Sequence, residues 1–174
     1  FIANTADFGG GVFSNSGTVV LTEATLANNT AFTDGGGFYN DRQSDVGISG
    51  SIVTGNVASQ DGGGIYNNDS ATATISDSTI SNNVAGADGG GVYSEQAALA
   101  TLTNTNIAFN QATNGGGVFN QGGTVSVALS TFSANAASQD GAGFYVSTAG
   151  NLNANDSTLS GNVAGRSGGG FFNA

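Results

Sequence analysis

The sequence predicts an all-β fold: a right-handed parallel β-helix, a solenoid of three short strands per 26–27-residue coil, about six and a half coils and no helix. Three observations predict it. A glycine triplet returns seven times, beginning at Gly9, Gly35, Gly62, Gly89, Gly115, Gly141 and Gly168, with Gly-Ala-Gly in the sixth. Each triplet is followed by one apolar and one aromatic residue: VF, FY, IY, VY, VF, FY, FF. An asparagine then recurs at one place in each full repeat: Asn29, Asn56, Asn83, Asn110, Asn135 and Asn162. A fixed period of this length marks stacked repeats, each burying its apolar face only against its neighbours.

The third repeat, GGGIYNNDSATATISDSTISNNVAGAD, shows the elements in order. Turn-forming residues divide it into GGGIYN, ATATIS and STISNN, three short β stretches. Ten and eight places before the recurring Asn stand apolar residues, Ala73 and Ile75 here. An offset of two keeps them on one face of a strand. A third apolar row, Leu26, Val53, Ile80, Ile107, Phe132 and Leu159, lies three before the Asn, at an odd offset that requires a bend. Five before it only Ala, Ser or Thr appears, as a tight inward position demands. No apolar stripe recurs at helical spacing, and Gly and β-branched residues are poor helix formers. A leucine-rich repeat has no place for the triplet, and a hexapeptide helix has a coil of about 18 residues. The recurring Asn reads as a stacked ladder, each amide donating to and accepting from its copies.

The chain reads as one domain over 1–174, with incomplete first and last coils that favour a fragment or polymer subunit. It has no Pro, Cys, Met, Trp or His, and its two arginines face twelve carboxylates, a net charge of −10. That composition lacks the basic footprint of a nucleic-acid binder, excludes disulfides and thiolate metal sites, and supplies no apolar run long enough for a membrane span.

Three outward rows are expected. With the apolar residue after each triplet inward, the aromatic neighbours Phe13, Tyr39, Tyr66, Tyr93, Phe119, Tyr145 and Phe172 face out beside a smooth glycine strip. That is an open ribbon suited to a sugar chain or a second solenoid, unless the following turn covers the rings or they turn into the core. The second row, Asp34, Asp61, Asp88, Asn114 and Asp140, reads as turn residues, with calcium the one cofactor its carboxylates suggest. The third, Thr25, Ile52, Thr79, Asn106, Thr131 and Thr158, reads as solvent-facing rather than ice-binding. No catalytic residue is assigned. Asp41, Arg42, Asp45 and Asp69 share a loop region and read as solvated.

The repeats resemble those of chlamydial-type polymorphic outer membrane proteins, which carry GGA[ILV] and FxxN motifs. The counterparts here are GGGV, GGGF or GGGI, and LANN, VTGN, ISNN, FSAN and LSGN; FSAN at Phe132–Asn135 matches literally, and IAFN stands in the fourth repeat. The resemblance implies a right-handed β-helix in a secreted or surface-anchored protein, often adhesive, and carries over no catalytic residue. A looser likeness is to pectin-lyase-type β-helices. The expected function is therefore a structural and interaction segment, extracellular or at the cell surface. Its expected partners are its own copies by end-to-end or lateral packing, or further coils of a longer chain, with glycans as candidate ligands. A carbohydrate-binding or carbohydrate-cleaving β-helix is the alternative.

Overall fold

The computed structural model describes residues 1–174 and contains only strands, turns and bends. They wind into a right-handed parallel solenoid. Each coil contributes one strand to each of four sheets, of seven, six, six and seven strands in chain order from the triplet. In the third coil these strands are Ile65–Asn67, Thr72–Ser76, Thr79–Ser81 and Val84–Ala85. Every pairing is parallel, and like stands over like: Ile65 on Phe38 and Val92, Ile75 on Ile48 and Leu102, Ile80 on Val53 and Ile107.

The fourth strand corrects the expected three. The stretch STISNN does not run on as one strand. It turns at Asn82, whose φ is +55°, buries Asn83, and resumes as Val84–Ala85. Two residues are too few to print an alternation in the sequence, so this strand is indistinguishable there from a turn.

The core is one continuous column. Leu26, Val53, Ile80, Ile107 and Phe132 are fully buried, as are Ile75, Leu102 and the inward residues Phe38, Ile65, Val92 and Val118. Each such side chain contributes about 1.5–3 kcal/mol by leaving water, gained against the coils above and below. The small row five before the Asn is more than a tight fit. The Ser78 hydroxyl accepts from the backbone N–H of Ser51 at 3.1 Å and donates back across the bend to the Ser76 carbonyl, 2.6 Å away. Ser51, Ser130 and Ser157 repeat the arrangement, so the bend between the second and third sheets is hydrogen-bonded rather than hollow.

Candidate functional site

The glycine sheet carries most of the expected site residues. In the third coil Gly62 adopts φ +65°, a left-handed turn that L side chains avoid. A side chain on Gly63 would strike the Val84 backbone at 2.5 Å, and one on Gly64 would strike the Gly91 carbonyl at 2.5 Å and Asn83 at 3.1 Å. All three glycines are buried, and the third abuts the Asn ladder. The smooth outward strip expected beside the aromatics is therefore absent: backbone packs on backbone there.

The aromatic row stands in register as expected, Tyr39 on Tyr66 on Tyr93. It is not an open ribbon. Centroids are 4.6–5.2 Å apart from Phe13 to Tyr145, with planes within 17° of parallel. Tyr39, Tyr66, Tyr93 and Phe119 are only 8, 6, 3 and 6 % exposed. Tyr145 and Phe172 are half-buried, and Phe13 alone presents its ring at 48 %. The rings lie on the outer face of the strand, yet each hides its neighbour's face, and the turn after the strand covers their edges. That second layer forms its own apolar cluster, separate from the central column.

The covering residues stand two places after each aromatic. Glu95 accepts from the Tyr66 hydroxyl, Gln121 accepts from Tyr93, and the Asn68 side chain faces Tyr39. The second Glu95 oxygen lies 3.4 Å from the Tyr93 hydroxyl. Burial pushes the Tyr39 phenol up to about 12, and burial with the Glu95 carboxylate pushes Tyr66 and Tyr93 further up.

The Asn ladder is complete. Asn29 Nδ2 donates to Asn56 Oδ1 at 2.9 Å, and the step repeats through Asn83, Asn110, Asn135 and Asn162 at 2.9–3.0 Å. Each Oδ1 also accepts the backbone N–H of the preceding Asn, and each second amide hydrogen goes to a carbonyl of the preceding coil, as from Asn83 to Val53 at 3.0 Å. The sequence reading missed Asn4, which donates to Asn29 and extends the ladder into the first coil. It also missed a second, broken ladder at the far end of the glycine strand. There Asn40 donates to Asn67 at 2.8 Å, while Asn120 and the loop that follows it bond each other, with Ser94 interrupting. The signal was the dipeptide YN, YN, YS, FN after four triplets.

The aspartates serve the turn. Asp34 Oδ1 accepts from the Asp61 backbone N–H at 3.0 Å, Asp61 from Asp88 at 2.8 Å, and Asp88 from Asn114 at 3.1 Å. Burial raises the pKa of Asp34 and Asp88 and pushes Asp61 up to about 6, against the lowering effect of those bonds. Asp140 is held below the ordinary carboxylate range by the Arg166 guanidinium bonded to it. No three acidic side chains converge as a cation site would need. The Thr25 row faces solvent, with Ile52 45 % exposed. Of the loop acids, Asp41 lies 3.6 Å from Arg42 and accepts from Asn68 at 3.2 Å.

Residues 77–95 match the model of the Chlamydia polymorphic membrane protein (Chlamydia_PMP) repeat. The span runs through ISNN at Ile80–Asn83 and GGGV at Gly89–Val92, the two motifs that carry the resemblance, and the parallel solenoid agrees with it. No curated protein and no solved structure matches the chain.

Proposed function

We propose that the chain is a structural and interaction segment of a secreted or cell-surface repeat protein, and that it is not an enzyme. The carrying observation is the matched repeat at 77–95, whose Asn step and glycine turn every other full coil reproduces in register. The rod's long faces are built from turns, ladders and solvent-facing strands. The aromatic row gives little support to the carbohydrate reading, because the rings from Tyr39 to Phe119 cover one another and leave only the end ring Phe13 well exposed, too short a platform for a sugar chain.

The finer reading is extension by stacking. The last coil presents interior chemistry: Leu159 is 38 % and Phe171 46 % exposed, and with Phe144, Leu152 and Ala154 they line an apolar cavity of about 340 Å3. The unpaired edges of the terminal strands lie around it, ready to template a further strand. A further coil of this kind, from a continuing chain or a second copy, fits both features.

Antibodies raised against the purified rod should label intact source cells or their medium. Signal confined to permeabilised cells would overturn the surface reading. For stacking, Leu159→Lys and Phe171→Lys together should abolish the concentration-dependent lengthening of rods seen by negative-stain imaging. Rods that never lengthen in the parent protein would reject stacking of copies and leave a continuing chain as the source of the next coil.

A further inference from the structure

Tyr39, Tyr66 and Tyr93 stack with centroids 4.8 and 4.9 Å apart and planes within 11° and 6°. Rings so close and parallel overlap in their π systems. An electron vacancy made on one is passed to the others. Phe119, next in line at 5.2 Å, has no hydroxyl and is harder to oxidise, so the vacancy stays on the three tyrosines. The proton decides which ring keeps it. An oxidised phenol is a strong acid and gives its O–H proton to the nearest base. Tyr39 faces the neutral Asn68 amide, and Tyr93 donates to the neutral Gln121 carbonyl. Glu95 is the one carboxylate in hydrogen-bonding reach of a ring hydroxyl: it accepts from Tyr66 and stands 3.4 Å from Tyr93. Because burial disfavours the free phenolate, the proton stays on the ring until the electron leaves.

We propose that Tyr66 and Tyr93, with Glu95 at their hydroxyls, form a one-electron oxidation site that takes small one-electron oxidants of the peroxide-derived radical class. In the step, the oxidant gains one electron from the ring and the Tyr66 O–H bond breaks. The proton goes to the Glu95 carboxylate, leaving a neutral tyrosyl radical and a carboxylic acid. Glu95 is partly exposed and hands the proton on to water. The site is independent of the surface reading, since it needs only the stack and its carboxylate.

Flash-quench oxidation of the whole chain by a photo-oxidised ruthenium tris-bipyridine complex tests it, with the radical read by transient absorption and paramagnetic resonance. Glu95→Gln keeps a hydrogen-bond acceptor at the same place but not a base. It should slow tyrosyl formation about tenfold or more and remove its solvent deuterium effect, with circular dichroism unchanged. Tyr66→Phe with Tyr93→Phe, which keeps the rings stacked as Phe119 already does, should abolish the long-lived radical. Tyr145→Phe should leave it intact. An unchanged rate in Glu95→Gln would overturn the proposal. So would a long-lived radical that survives the double phenylalanine variant, whether on Tyr39 or on Tyr145; this second comparison stands even if Glu95→Gln misfolds.

Discussion

Asn83 is fully buried and makes every hydrogen bond its amide can form. Replacing it by Leu keeps the volume but leaves the Asn56 backbone N–H and one Asn56 amide hydrogen without partners, away from water. Asn83→Leu should therefore cost about 3–5 kcal/mol, read as a fall in the urea midpoint. A change below about 1 kcal/mol would show that the ladder is ornamental to the turn. The opposite sign is expected at Phe109, which sits one residue before ladder Asn110. It holds φ +57° with 57 % of its surface exposed, where Asn28, Asn82 and Gly55 occupy the same turn in other coils. A bulky side chain in the left-handed region costs about 1–2 kcal/mol, so Phe109→Asn should raise stability by part of that. The ladder is legible in the sequence because an amide held at a fixed period can pair with its own copies, which a turn former of mixed type cannot do. Phe109 is not legible, because a backbone angle leaves no trace in a single apolar letter.

At the scale of the element, the glycine strand is clamped between two ladders: the aromatic stack outside and the Asn column against its third glycine. Its central ring, Tyr66, is 6 % exposed and stacked on both faces. Tyr66→Ala should cost about 3–5 kcal/mol, as core aromatic truncations do. Tyr66→Phe, which loses only the bond to Glu95, should cost about 1 kcal/mol. Equal costs would mean that the hydroxyl, not the stack, holds the layer; calorimetry of the pair decides. Alternation along GGGIYN tells which side of the strand each ring takes. It does not tell whether that side is wet. Openness depends on what stands two residues later in the next coil, and Asn68, Glu95 and Gln121 share no residue type that a repeat reading would single out. The same limit hides the glycines' role. A recurring absence of side chain looks alike whether it faces water or another backbone.

For the whole molecule, stacking converts sequence position into height along the rod, and with it the charge. Residues 1–95 carry ten carboxylates and Arg42, whereas 96–174 carry two and Arg166, so nearly all of the −10 sits in one half. Three carboxylates of that half, Asp34, Asp61 and Asp88, lie in a partly buried row and have raised pKa values, Asp61 at about 6. A carboxylate whose pKa is raised by folding holds its proton more tightly in the folded rod than in the unfolded chain. Protonation then favours the rod: the stabilisation is full below the unfolded value of 3.8 and is lost as pH climbs through about 6. Asp140 has the reverse sign, because its pairing with Arg166 is present above its ordinary value and lost as pH falls through its lowered one. The two together place the most stable pH on the acid side of neutrality. The melting temperature should rise as pH is lowered from about 7.5 to about 4.5, then fall as Asp140 is neutralised. Asp61→Asn keeps the acceptor for the Asp88 N–H, just as Asn114 already serves Asp140, so it should raise the melting temperature at neutral pH and flatten the acid rise. A melting temperature that drops steadily from about pH 7.5 downward would mean that the paired carboxylates outweigh the buried row.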